Sequence, residues 1–178
     1  MPRPSRPESD IQDVNKKVNE ETSDTLFWEY LAPVKHRIYN FILKSLGFSQ
    51  DADDVFQETV LHAFQYFRTF KKDRDFSTWI YSIASNEIKK HYKKASRTSG
   101  CLDAALLHSP DSSHTHQLTK EVYLFANSLS QRQRKVFFLF YDSGFTIAEI
   151  SRITGLRQGN IKFILNQARQ NLKSIMGE

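Results

Sequence analysis

Cysteine is nearly missing from this 178-residue chain: Cys101 stands alone, so no disulfide can form within it, which suits a reducing cytoplasm. No apolar run approaches the ~18–20 residues that a membrane span requires, and the start lacks the pattern of a secretion signal. No glycine-rich phosphate loop, Ser/His/Asp arrangement or pair of catalytic carboxylates stands out, so neither a cofactor nor an enzymatic activity of its own is expected. His108, His114 and His116, with Cys101 and Asp103, lack the tight ligand spacing of tetrahedral sites, and no metal is expected there. Strand patterns and internal repeats are absent as well.

What is present looks globular: 39% of residues are hydrophobic, 25% are charged, and fourteen phenylalanines supply core material. The net charge of +5 is unevenly spread. Residues 26–98 carry twelve Lys and Arg against eight Asp and Glu, and residues 120–178 carry nine against four. Residues 99–119 between them carry two acids and no base. Two basic blocks separated by an acidic stretch suit nucleic acid or an anionic surface, although basic blocks also occur as solvated faces.

Residues 1–24 begin MPRPSRPESD, rich in Pro, Ser and charge, and read as a disordered tail. From Thr25 to Leu46 apolar residues recur at three- and four-residue spacing, predicting one helix that Pro33 bends or starts, with Gly47 closing it. Asp51, Asp53 and Asp54 sit at the start of the next helix, where the helix dipole favours acids, and this helix runs to about Phe67. The basic loop RTFKKDRD leads into DFSTWIYSIASNEIKKHYKK, a third helix. Residues 96–119 lose periodicity and read as a linker, after which helical patterning returns in about four segments. The expected fold is all-α: two small helical domains joined by a flexible linker.

The sharpest local pattern is FTIAEISRITGLRQGNIKFILNQARQNL. Thr146 and Glu149 form a capping box that starts a short helix, with Ala148, Ile150 and Ile153 on its buried side. Gly155 allows a tight turn, and a second helix follows from about Gly159 or Asn160, striped by Ile161, Ile164, Leu165, Ala168 and Leu172. Its other side carries Phe163, Asn166, Gln167 and Gln170, flanked by Lys162 and Lys173. Amide side chains can bond bidentately to adenine and a Phe can meet a thymine methyl, so this helix-turn-helix suits the major groove, although such pairs also occur as plain packing motifs.

In the first basic block, a helical wheel puts Val55, Phe56, Val60, Ala63, Tyr66 and Phe67 on one side. Asp54, Gln57, Glu58, Leu61, Gln65 and Arg68 lie opposite, and a leucine among acids and amides suits a protein partner as well as a solvated surface. In the following helix Phe76, Ile80, Ile83, Ala84 and Ile88 point inward, while Trp79, Ser82, Asn86, Lys89, Lys90 and Lys93 share an adjoining face. Lysines neutralise phosphates, asparagine bonds a base edge and an aromatic ring offers a stacking surface, which suits unpaired DNA; a core tryptophan beside solubilising lysines is the plainer alternative.

DADDVFQETVLHAF followed by FKKDRDFSTWIYSIASNEIKKHYKK, and then LSQRQRKVFFLFYDSGFTIAEISRITGLRQGNIKFILNQAR, resemble a bacterial RNA polymerase sigma factor. The resemblance is to the extracytoplasmic-function (ECF) group of the sigma-70 family, the short form with only the second and fourth conserved domains. It implies domain 2 at residues 25–95, a linker at 96–119 and domain 4 at 120–178. It also implies three functional surfaces. Asp54, Gln57, Glu58 and Leu61 would bind core RNA polymerase, at the clamp helices of its largest subunit. Phe70, Lys71, Lys72, Trp79, Asn86, Lys89, Lys90 and Lys93 would capture and melt the −10 element of promoter DNA. Arg157, Gln158, Asn160, Lys162, Phe163, Asn166, Gln167 and Arg169 would read the −35 element. An anti-sigma protein is an implied partner, the cytoplasm the implied location, and no direct membrane insertion is implied. The recognition helix carries fewer arginines than is usual for the family, and fewer phosphate contacts mean a weaker salt dependence. The alternative reading is a stand-alone helix-turn-helix regulator with an N-terminal ligand or dimerisation domain.

Overall fold

Pro33 divides the first apolar stretch. The single helix expected from Thr25 to Leu46 is two helices in the computed structural model, which describes residues 23–71, 73–98 and 120–176. Residues 23–31 form α1, residues 32–34 a turn, and Lys35–Ser45 α2. Proline lacks the N–H that the helix ladder needs and crowds the carbonyl four residues back, which explains the break. Gly47 ends the second helix in the left-handed region at φ 69°, and Phe48 follows at φ 64°. A left-handed phenylalanine costs about 1–2 kcal/mol. Here its ring is buried and its N–H donates to the Leu43 carbonyl at 2.8 Å, which offsets that strain.

Helix α3 spans Ala52–Tyr66 and buries Ala52, Val55, Thr59 and Ala63 at three- and four-residue spacing. A 3₁₀ turn, Phe67–Thr69, leads to α4, Phe76–Thr98. The start of α4 is capped by Asp75, whose carboxylate accepts from the Thr78 N–H at 2.6 Å and its hydroxyl at 2.8 Å. Between α1, α3 and α4 lies an aromatic cluster in which Phe67 meets Phe27, Phe70, Phe76 and Trp79 at ring distances of 5.3 to 6.4 Å. Tyr66, expected on the buried side of α3, is exposed instead, because the chain tightens to three residues per turn just beyond it.

The second half contains α5 (Lys120–Ser128), α6 (Gln131–Tyr141), α7 (Ile147–Thr154) and α8 (Gln158–Met176). Capping boxes start both α6, from Ser130 and Gln133, and α7, from Thr146 and Glu149. Thus all regular structure among the described residues is helical.

The halves share one hydrophobic core. Phe41, Tyr81 and Ile88 of the first are buried in the same cluster as Phe138, Leu139 and Phe145 of the second. Helix α6 lies on α2, and α7 lies on α4. Tyr81 and Phe145 meet edge to face at 4.8 Å, Arg37 donates to the Ser143 carbonyl at 3.0 Å, and Lys44 pairs with Asp142. This packing is closer than two domains on a flexible tether would require, and most of the tether lies outside the described residues.

Candidate polymerase and nucleic-acid interfaces

The outer face of α3 follows from its buried stripe: with Val55, Thr59 and Ala63 inside, Asp54, Gln57, Glu58 and Leu61 must face solvent, and all four are exposed. Leu61 is 49% exposed, an uncovered apolar side chain among acids and amides. Behind this face, the buried Glu87 of α4 ties the two helices together. His62 Nδ1 lies 3.0 Å from Glu87 Oε1, and Lys90 donates to the same oxygen at 2.8 Å. A second His–carboxylate pair, His91 with Asp51 at 3.4 Å, joins the start of α3 to the later turns of α4. Sequence reasoning missed this network, because a glutamate between Asn86 and Ile88 carries no mark of the histidine that packs against it from another helix.

On α4, Asn86, Lys89, Lys90 and Lys93 are all exposed, and Lys71 is exposed in the loop before it. Lys72 lies outside the described residues. Trp79 is half-buried, with its ring 5.0 Å from Phe70 and 5.5 Å from Phe76. Phe70 departs further from expectation: only 9% of it is exposed, so it works as core in this arrangement and presents no free face to a base. Ser82 sits between Trp79 and Asn86, and its hydroxyl donates to the Trp79 carbonyl at 2.6 Å. What remains outward is a polar ridge of one asparagine and three lysines, edged by tryptophan.

In the helix-turn-helix, Thr146 Oγ1 and N both donate to Glu149 Oε2, at 2.7 and 2.8 Å, and these bonds hold the Glu149 carboxyl below the usual carboxylate range. Gly155 takes φ 73°, a conformation that a side chain would oppose, and Ser151 Oγ donates to the Leu156 carbonyl at 2.6 Å across the turn. Ala148, expected to be buried, is exposed. Helix α8 buries Ile161, Ile164, Leu165 and Ala168, so its other face is left outward. Arg157, Gln158, Asn160, Lys162, Phe163, Asn166 and Arg169 are exposed, with Phe163 at 59%. Gln167 is the exception, half-buried and accepting from Gln133 Nε2 of α6 at 3.1 Å.

No group of three or more His, Cys, Asp or Glu side chains among the described residues could hold a metal ion. The histidines and cysteine weighed for zinc lie outside those residues. None of the described helices is long and apolar enough to cross a membrane.

Two family models match this chain, Sigma-70 region 2 over residues 29–98 and Sigma-70 region 4 over residues 119–172. The ECF RNA polymerase sigma factor EcfG of Rhodopseudomonas palustris is 29% identical over 157 residues, covering 86% of each chain. This chain belongs to the ECF group of the sigma-70 family. The ECF factor SigM of Bacillus subtilis is 27% identical, with 86% of this chain and 94% of that one covered. Among solved structures, the sigma factor RpoE of Bartonella quintana, co-crystallised with the anti-sigma factor NepR, superposes with a TM-score of 0.72. The identity is 23%, over 85% of this sigma factor and 96% of that one. CnrH in complex with the cytosolic domain of CnrY superposes with a TM-score of 0.64 at 19% identity, covering 90% and 96%. The fold likeness therefore extends over both halves.

As an alternative sigma factor the protein directs RNA polymerase to promoters and has no enzymatic activity of its own. The stand-alone regulator reading fails here, because it leaves the match of residues 29–98 to a sigma region unexplained.

Proposed function

We propose that the three outward faces divide the work of initiation. The α3 face of Asp54, Gln57, Glu58 and Leu61 docks on the clamp helices of the polymerase largest subunit. The α4 ridge of Asn86, Lys89, Lys90 and Lys93, with Trp79 at its edge and Lys71 and Lys72 before it, holds the unpaired −10 strand. The α8 face from Arg157 to Arg169 lies in the major groove of the −35 element. The functional units on this reading are residues 25–95 and 120–178, and the protein works in the cytoplasm, where its polymerase and promoters are. An anti-sigma protein that covers these faces keeps the factor idle until it is needed.

The observation that carries the reading is that the α4 ridge is solvent-facing while the helix behind it is locked to α3 through Glu87. Docking on one helix thus fixes the position of the other. Phosphates attract the lysines, and stacking is worth about 1–3 kcal/mol per base, comparable with the cost of unstacking one.

Alanine at Asp54 and Gln57 should weaken holoenzyme assembly about tenfold on a native gel, a loss of about 1.4 kcal/mol. Asn86→Ala should leave assembly intact while lowering permanganate reactivity of thymines in the −10 region. Equal loss of assembly and opening in the Asn86 variant would show that the residue only maintains structure, and would sink the division of labour.

A further inference from the structure

We propose that residues 11–18, which precede α1 in the chain, cover an exposed apolar patch formed by Trp28, Phe64 and Leu61, and so compete with RNA polymerase for the α3 face. The proposal rests on the polymerase-docking reading of that face and adds to it a brake carried by the same chain.

The patch is continuous across two helices. Trp28 of α1 is 52% exposed, although its ring stacks on Phe64 of α3 with centroids 6.2 Å apart. Phe27 meets the same indole edge to face at 5.1 Å and fixes its position. Leu61 stands one turn before Phe64, where side chains three positions apart are neighbours, and it too is uncovered. An indole and a leucine flanking one phenylalanine ring make a single apolar surface, of the kind that marks a docking site. Its rim along α3 is acidic, with Asp54 and Glu58 both exposed.

The course of the chain selects the occupant. Ser23 and Asp24, the first described residues, line a hollow between α1 and the end of α3 together with Phe64, Gln65, Phe67 and Arg68. The residues before them are therefore attached beside the patch itself. Apart from Met1 and the prolines, residues 1–22 contain three apolar side chains, Ile11, Val14 and Val18, at the three- and four-residue spacing of one helix side. An extended chain from Ser23 reaches at most ~18 Å to Val18 and ~32 Å to Val14. Phe64 lines the hollow and Leu61 lies only about 5 Å further along α3, so both valines can reach across the patch.

Charge favours the same placement. Lys16 and Lys17, between the two valines, are opposite in sign to Asp54 and Glu58, and Glu20 and Glu21, near the attachment, are opposite to Arg68. A segment lying this way shields the acids that polymerase is to meet.

The chain has two tryptophans, so Trp79→Phe leaves Trp28 as the sole indole to report on the patch. A patch covered about four-fifths of the time is open for the remaining fifth, so removing residues 1–22 should raise quenching of Trp28 by acrylamide about fivefold. Association with core polymerase, measured by stopped flow with Trp79 in place, should quicken by the same factor. A peptide of residues 8–22 added to the shortened chain should reverse both effects. In the full chain, Val14→Ser with Val18→Ser should act like the deletion, whereas Val14→Ile with Val18→Ile should not. Circular dichroism shows that each variant is folded. Equal quenching of the full and shortened chains overturns the proposal. So does protection that survives the deletion and fades on dilution, which would make a second copy the occupant. Assembly keeps the two readings apart: if alanine at Asp54 and Gln57 leaves assembly unchanged, the docking reading fails. If those variants weaken assembly while the deletion leaves association no faster, the brake is overturned and the docking reading stands.

Discussion

Gly47 offers a measurement of how tightly the two halves fit. Its φ of 69° is unfavourable for any side chain, and a Cβ placed there would stand well inside contact distance of Arg134 Nη1 and 2.9 Å from Asn127 Oδ1. Gly144 has a similar φ of 76°, but nothing lies within 4 Å of the corresponding Cβ. Alanine at Gly144 therefore reports the backbone term alone, about 1 kcal/mol. Alanine at Gly47 adds the displacement of a buried guanidinium held by two carbonyls. Arginine is a flexible side chain, but retreat here leaves the Ala126 and Leu129 carbonyls without their donor, at about 1–3 kcal/mol. The total expected at Gly47 is about 2–4 kcal/mol. For a chain of this size that is a fall in Tm of roughly 5–15 °C, against roughly 2–4 °C for the Gly144 variant. Thermal unfolding followed by circular dichroism reads both. Equal falls for the two variants would refute the argument that Gly47 is required to admit Arg134.

Three further expectations concern single side chains. Lys135 has its ammonium depressed from 10.5 to about 8, so the folded chain gains stability as pH rises through that window and loses it as pH falls back through 8. Facing Lys89 and Arg132, it should contribute about 1.4 kcal/mol more at pH 9 than at pH 7, seen as a rise in Tm that Lys135→Met lacks. Thr146→Ala removes the α7 capping box and should lower stability by about 1 kcal/mol. Because Glu149 is depressed chiefly by its bonds from Thr146, the part carried by the hydroxyl bond to its carboxylate is present above the ordinary value of 4.5 and is lost as pH falls through the depressed value, so the gap between the two melts should narrow in acid to what the Thr146 Oγ1 cap of the Glu149 N–H contributes. Phe163→Ala should leave stability within about 0.5 kcal/mol, since the ring is largely exposed, while weakening binding to a −35 duplex about fivefold by gel shift.

The local features were legible in the sequence. Thr146 with Glu149, the glycine at 155 and the stripe from Ile161 to Ala168 act over one to three turns, and periodicity reports such features directly. Tyr66 and Ala148 were placed on the wrong side because a uniform wheel assumes an ideal helix and a central position in it. One lies beside a 3₁₀ turn, and the other is the second residue of an eight-residue helix. Phe70 and Trp79 illustrate a deeper limit. An aromatic beside lysines is equally suited to a core or to a stacking surface, and only the rings of Phe67 and Phe76 decide. The seam between halves left no local trace at all, since Lys44 and Asp142 are 98 positions apart.

Helix α4 is engaged on two sides. Asn86, Lys90 and Lys93 belong to its outward ridge, while Tyr81, Ile88 and Tyr92, interleaved with them, belong to the buried side that meets the second half. Successive residues turn by 100° around a helix, so both surfaces are fixed in phase by a single covalent chain. One residue inserted near Ser85 would rotate everything after it by that angle. The lysines would move off the outward ridge and Tyr92 off the seam together. Deletions and insertions in α4 therefore cannot separate its two engagements, and substitutions alone can adjust one without the other.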